Sequence, residues 1–338
     1  MTPLNIVVAM PFFDRSSPHA GDEMLRLIRE VSPEIIVRDA SPLVSAEFQG
    51  DKSRKEEMDS ILADADIVFG LILPGDILSR TPRLKWLQMM SAGVDRLRDT
   101  EIWKSKIIIT GVSGIHASPI GEFVMGFILM FAKGMPLCFR MQQKHEWQRY
   151  MPHLLYGKTV GIVGLGHIGS EVARLSRAFG MKVIATRRSA KKPGKARNVD
   201  LLLPQSQMKE LLAQSDYVVL ALPLTPETRH IIGEAEFASM KPGAFIINIG
   251  RGSLIDENAL IRALDDKKIA GAGLDVTAPE PLPKESRLWD MENVIISPHV
   301  SGGMEDYTGR ATALFCENLR RYINGKKLIN IIDRKKGY

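Results

Sequence analysis

Cysteine is nearly absent. Cys138 and Cys316 are the only two in 338 residues, and neither stands at metal-ligand spacing from another Cys or His. That argues against a disulfide-stapled scaffold and a thiolate metal centre; two buried free thiols in a reducing compartment are expected, with no metal. Long apolar runs are missing too. The run from Phe123 to Ala132 is too short for a bilayer and is interrupted by Gly126 and closed by Lys133, so no membrane partner is expected. The opening MTPLNIVVAMPFFDR lacks a basic leader region and a small-residue cleavage site, and reads as a first strand of a cytoplasmic protein. Aromatic residues are scarce, at 7%, and no basic stripe is interleaved with them, which argues against nucleic acid. Negative charge is slightly under-represented, leaving a net +6. Arg187, Arg188, Lys191, Lys192, Lys195 and Arg197 carry much of that excess. They read as an anion site or a solvated loop, the loop being the better reading for the lysines.

What is present is length enough for two domains and a repeated alternation of apolar strands with helical segments. Before residue 110 the strand candidates are Ile6–Met10, Ile35–Val37, Ile67–Leu71, Trp86–Met89 and Ile107–Thr110. Helices are expected near 21–31 and 53–63, and loops at Asp14–Gly21 and Ala46–Lys52. A second series follows at 159–163, 182–186, 217–221, 244–249, 269–274 and 294–297. Helices are expected over 118–133, 136–148 and 304–323, with a last strand at Leu328–Ile332. Such alternation predicts an α/β fold of two doubly wound parallel sheets. The chain turns on Lys158–Arg188, which reads strand, glycine turn, amphipathic helix, strand. Gly164 permits the tight turn, Gly166 lets backbone approach a pyrophosphate, and Gly169 lets helix and strand pack closely. The amides of His167, Ile168 and Gly169 then open a helix suited to receive a diphosphate.

Three later strand ends carry polar groups: Asn248-Ile249-Gly250-Arg251-Gly252, Gly273-Leu274-Asp275 through Glu280, and Ser297-Pro298-His299. They supply a guanidinium, carboxylates and an imidazole on the carboxyl edge of one sheet. With GIVGLGHIG, LALPLTPETRHIIG, MKPGAFIINIGRGSLIDENAL, GAGLDV, APEPLP and NVIISPHVSG in order, the chain from about Leu84 to Ile332 resembles the D-isomer-specific 2-hydroxyacid dehydrogenases. The resemblance implies a Rossmann-type nucleotide domain (113–300) inserted into a flavodoxin-like substrate domain (1–112 and 301–338). It also implies catalysis by Arg251, Glu280 and His299, and a homodimer built on the nucleotide domains, including the helices at 118–148. Arg251 would hold a substrate carboxylate and polarise the 2-oxo group. His299 would exchange the proton, and Glu280 beside it would favour imidazolium and fix the ring.

Other positions follow the same resemblance. Asp275 matches the residue that holds the nicotinamide carboxamide, although a strand-end turn former is an equal reading of the aspartate itself. Leu222, Pro223, Thr228 and Ile249 fall in segments along the cofactor, and Ala92, Gly93 and Val94 in the loop whose amides take the substrate carboxylate. One departure stands out: where NAD-preferring relatives end the second strand on an acid, this chain has Arg187, followed by Arg188 and Ser189. The reversed sign predicts NADP(H) over NAD(H), with NAD(H) still possible. The expected activity is interconversion of a small 2-oxo acid and its D-2-hydroxy acid. A nucleotide-sensing corepressor of the same fold and a phosphoglycerate dehydrogenase are the alternatives. Substrate choice is expected to rest on loops near Phe12, Val44, Gly75 and Met304, with Ser301 and Tyr307 either touching substrate or serving capping and packing. His116 is expected in a solvated loop, or facing a cleft, and Trp147 in a core or subunit interface.

Overall fold

The computed structural model describes residues 3–10, 19–71 and 73–337. Phe12 and most of the Asp14–Gly21 loop lie outside them. The strands are β1 Leu4–Ala9, β2 Ile35–Asp39, β3 Ile67–Gly70, β4 Trp86–Met89, β5 Ile108–Thr110, β6 Thr159–Val163, β7 Lys182–Arg187, β8 Gly194–Ala196, β9 Val199–Pro204, β10 Tyr217–Leu220, β11 Phe245–Asn248, β12 Gly271–Leu274 and β13 Val294–Ile296. The helices are α1 His19–Arg29, α2 Ser41–Phe48, α3 Lys55–Ala63, α4 Ile77–Arg80, α5 Glu101–Lys104, α6 Ala117–Ala132, α7 Met135–Gln143, α8 His167–Ala178, α9 Met208–Gln214, α10 Glu234–Phe237, α11 Glu257–Asp265 and α12 Tyr307–Ile323.

The chain divides into two compact units, residues 1–115 with 304–338, and residues 116–303. In the first, the sheet order is β2-β1-β3-β4-β5, all parallel, which is the flavodoxin-type winding. The last helix belongs here for a physical reason: Phe315 of α12 stacks on Phe69 of β3 at 4.4 Å and packs against Trp86 of β4. In the second unit the order is β13-β12-β11-β10-β6-β7-β9-β8. β6 lies between β7 and β10, so the winding reverses there, as in dinucleotide-binding sheets. One apolar core lies under α9, α10 and α11, and another under α6 and α8. The central strands β6 and β10, TVGIV and YVVL, are buried along their whole length, which is why they read as unbroken apolar runs.

The structure departs from the sequence reading in identifiable places. α2 occupies residues read partly as loop, and Val44 on it is wholly buried in the core, so it is not a pocket residue. α1 begins at His19 rather than near residue 21. α7 stops at Gln143 instead of 148: His145 takes a left-handed φ of 57°, and Glu146 N–H bonds to Met141 O at 2.9 Å. That closure usually needs glycine or asparagine, so nothing in the residues announced it. The segment read as a solvated basic loop contains β8, paired antiparallel with β9 through a turn that places Asn198 at φ 61°. Leu328–Ile332 forms one bridge, Thr110 to Ile331, because Asn330 is left-handed and breaks the extension. Cys316 is buried, but Cys138 is only partly so and sits 2.7 Å from the Tyr150 hydroxyl. Among the described residues no single helix is long and apolar enough to cross a membrane; α6 and α7 together reach that length but are bent by 64°.

Candidate active site

The carboxyl edge of the larger sheet is drawn together by glycines that tolerate no side chain. After β6, Gly164 has φ 105°, and a Cβ there would stand 2.7 Å from Ala221 O and from Leu222 Cδ2, beyond the end of β10. After β11, a Cβ on Gly250 would stand 2.8 Å from Leu222 O, and one on Gly252 would overlap the Thr277 backbone at 2.0 Å, beyond β12. Backbones from four strand ends therefore approach to a distance that only glycine permits.

The glycine turn fits a dinucleotide. Gly169 packs so tightly that its Cβ would lie 2.3 Å from Gly164 O, whereas a Cβ on Gly166 would meet nothing within 4 Å. Gly166 is the N-cap of α8, so the first-turn amides of His167, Ile168 and Gly169 open onto that free space, where an anion is favoured. β7 ends at Arg187, whose side chain is exposed, and the Ala190 N–H to Arg187 O bond of 3.1 Å turns the chain through Arg188 and Ser189. Leu222 and Pro223 are half-buried at the sheet edge. The Thr228 hydroxyl is engaged by its own loop, donating to Pro223 O at 2.8 Å and accepting from Thr225 N at 2.7 Å. Ile249 places its side chain in the core, so only its backbone is available at the edge.

In this unit His299 and Glu280 are paired directly, and the loop that carries Arg251 lies against the loop that carries Glu280. The His299 Nδ1 to Glu280 Oε2 distance is 2.9 Å, and Glu280 Oε1 accepts from Thr277 N at 3.2 Å. With Nδ1 held by the carboxylate, Nε2 is the nitrogen left to exchange a proton. The pair is part-exposed, 49% for the His299 side chain and 34% for Glu280. Arg251 follows β11 on extended backbone; its carbonyl accepts from Asn248 Nδ2 at 2.9 Å and Nη1 donates to Gly250 O at 2.8 Å. The Gly252 to Thr277 contact sets that loop against the one that carries Glu280. His299 itself has φ 54°, a conformation that costs a non-glycine residue on the order of 1 kcal/mol.

Asp275 is engaged by the loop that follows β13. It is 1% exposed, and its carboxylate accepts from Ser297 Oγ at 2.6 Å, Val300 N at 2.9 Å and Ser301 N at 3.1 Å, and also from Ser301 Oγ. Ser301 thus serves Asp275, a role that spacing alone did not reveal. His116 stands at the N-cap position of α6, without a side-chain capping bond, and is packed against Gly302, whose Cβ would meet its ring at 3.1 Å; burial pushes its pKa down. It is not a solvated loop residue. In the other unit, Ala92 and Gly93 are half-buried, Val94 is in the core, Ser91 Oγ donates to Gly93 O at 2.8 Å, and the Tyr307 hydroxyl donates to Met90 O.

The family model described as "D-isomer specific 2-hydroxyacid dehydrogenase, NAD binding domain" matches residues 125–301, more than half the chain. The chain belongs to the D-isomer specific 2-hydroxyacid dehydrogenase family. It is an NAD(P)-dependent oxidoreductase of the 2-hydroxyacid dehydrogenase and 2-oxoacid reductase class. It is 33% identical to a glyoxylate reductase of Aeropyrum pernix over 325 residues, 91% of this chain and 95% of that one. It is 33% identical to a D-3-phosphoglycerate dehydrogenase of Methanocaldococcus jannaschii over 82% of this chain, but spans only 54% of that longer protein. The NADPH-dependent glyoxylate/hydroxypyruvate reductase of Sinorhizobium meliloti, solved with NADP and sulfate, superposes with a TM-score of 0.82 at 28% identity, covering 99% of this chain and 100% of that one.

Proposed function

We propose that this family member is an NADPH-preferring reductase of small 2-oxo acids, glyoxylate and hydroxypyruvate foremost, giving the D-2-hydroxy acid where the product is chiral. The observation that carries the reading is the 2.9 Å pairing of His299 Nδ1 with Glu280 Oε2, beside the loop of Arg251. When bound, the reduced nicotinamide supplies a hydride to C2 of the substrate. Arg251 holds the substrate carboxylate and draws electron density toward the 2-oxo oxygen. His299 Nε2 donates its proton to that oxygen as the carbonyl π pair collapses onto it, and the ring is reprotonated from solvent. Glu280 keeps Nδ1 protonated and the ring oriented.

For the cofactor, the first-turn amides of His167, Ile168 and Gly169 receive the diphosphate, and Leu222, Pro223 and the Thr228 loop line its adenosine side. The Ile249 backbone closes the site. Arg187, Arg188 and Ser189 take the 2'-phosphate, in keeping with the NADP found in the Sinorhizobium meliloti structure. We infer a cytoplasmic homodimer through the nucleotide units. Both cysteines are free thiols, and Leu137, Phe139, Trp147, Met151, Leu154 and Tyr156 are all exposed within one stretch of chain, Trp147 to 96%, more apolar exposure than an isolated chain sustains well. The experiment is His299→Asn. Turnover is expected to fall by about 10² to 10⁴ with NADPH affinity retained; turnover near that of the native protein would remove His299 from the chemistry.

A further inference from the structure

Arg187, Arg188, Lys191, Lys192, Lys195 and Arg197 stand in a stretch, residues 187–197, that contains no Asp or Glu. Over the whole chain Lys and Arg number 45 against 39 Asp and Glu. The stretch therefore carries the entire net charge of +6, and the remaining residues balance. The fold keeps those charges together. β9 lies beside β7 with Pro204 opposite Arg187, and β8 lies outside β9 with Gly194 opposite Leu202. Neighbouring strands are spaced about 4.8 Å apart, so the β8 backbone runs about 10 Å from the strand that ends on Arg187. Lys191, Lys192, Lys195 and Arg197 are all exposed. The acid that follows them, Asp200 on β9, is held by Arg177 Nη1 at 2.8 and 3.0 Å and by Val183 N at 2.8 Å, so Arg177 offsets its charge and the hairpin keeps its own. A lysine on an edge strand discourages pairing with another chain. Only Lys195 lies on β8, which runs Gly194–Ala196, so edge protection leaves Lys191, Lys192 and Arg197 without an account.

We propose that this basic hairpin is an electrostatic funnel that raises the rate at which NADPH is captured, acting through its field from beyond the residues that touch the 2'-phosphate. The proposal rests on the NADPH preference and on the placing of that phosphate at Arg187, Arg188 and Ser189. NADPH carries a diphosphate and, at its 2' position, a phosphate of about −1.5 to −2 at neutral pH; NADH lacks the second. Fields from exposed charges reach about 10 Å at 0.1 M ionic strength, about 30 Å at 0.01 M and about 3 Å at 1 M. The hairpin is thus within range of a phosphate approaching Arg187 in dilute salt and is screened from it in concentrated salt. Charges at the rim of a site act mainly on association and its salt dependence, whereas contacts made by the bound ligand act on release.

The test is stopped-flow binding of NADPH and NADH, read by nucleotide fluorescence, to the native chain and to the variant Lys191→Gln, Lys192→Gln, Lys195→Gln, Arg197→Gln. At about 0.01 M ionic strength the variant is expected to capture NADPH about tenfold more slowly. At about 1 M the two are expected to agree within about twofold. The dissociation rate and kcat with glyoxylate at saturating NADPH stay at native values, and the effect on NADH is smaller. If the fourfold variant aggregates, Lys191→Gln with Lys192→Gln decides, since both precede β8 and leave Lys195 on the edge; about a threefold slowing in dilute salt is expected of it. Capture at the native rate in dilute salt overturns the funnel. A loss that appears in the dissociation rate and persists at high salt overturns it as well, in favour of direct contact with the bound cofactor. The native chain separates the two levels. If it binds NADPH no better than NADH, the proposed cofactor preference is wrong; if the preference holds and the variants associate normally, only the funnel is wrong.

Discussion

Arg187→Asp reverses one charge at the end of one strand and so tests cofactor choice in isolation. Arg187 closes β7 in register with Pro204 of β9, and its side chain is exposed. A charge-assisted hydrogen bond to a phosphate contributes roughly 1.5 to 3 kcal/mol, and exposure places this one toward the lower end. Its removal alone therefore weakens NADPH by about tenfold. The introduced carboxylate adds repulsion of about 1 kcal/mol per unit charge near 4 Å in water, which brings the expected loss to about a hundredfold at low ionic strength. NADH carries no 2'-phosphate, and its ribose hydroxyls gain an acceptor, so its KM is expected to hold or fall. The assay is initial rate against NADPH and against NADH at saturating glyoxylate, at low and high salt. An unchanged ratio of kcat/KM for the two cofactors would refute the reasoning, as would equal losses for both.

Two further outcomes follow from burial and exposure. Trp147→Glu combined with Met151→Glu places two charges on the most exposed apolar surface, where those residues are 96% and 85% exposed; light scattering is expected to read one chain in place of two, and an unchanged mass would locate the dimer elsewhere. His116 is titrated through its burial, which holds its folded pKa below the unfolded value of about 6.5. Between the two values the unfolded chain binds more protons, so the contribution of His116 is fully present above about pH 6.5 and is lost as pH falls toward the folded pKa. Urea unfolding of His116→Gln is expected to depend less on pH than the native protein from pH 7 to 5; identical slopes would place the acid sensitivity in other groups.

Legibility in the residues followed burial on both faces. Thr159–Val163 and Trp86–Met89 were readable to the residue because strands covered on two sides are continuous apolar runs. The parallel winding and the glycine turn were readable for the same kind of reason: Gly164 and Gly169 each answer a steric demand, whereas Gly166 leaves open space beside the turn. What was not legible depends on conformations residue type does not announce. The left-handed His145 ends α7 early, Asn330 breaks the last strand, and Asn198 turns a basic stretch into a hairpin. At the site, Arg251, Glu280 and His299 were named from the family resemblance by their order along the chain, and the structure pairs His299 with Glu280. The engagement of Asp275 by Ser297 and Ser301 was not legible, because spacing brings an aspartate to a strand end without saying which way its oxygens face.

The central claim is reduction of a small 2-oxo acid at the expense of NADPH, and the most direct measurement is oxidation of NADPH against a panel of 2-oxo acids, from glyoxylate and hydroxypyruvate to bulkier chains, with NADH in parallel. The account predicts saturable NADPH oxidation with at least one small member, slower rates with NADH, and D configuration in any chiral product. NADPH that binds tightly and is not consumed with any acid in the panel would contradict it, and would make the nucleotide a conformational ligand in place of a reductant.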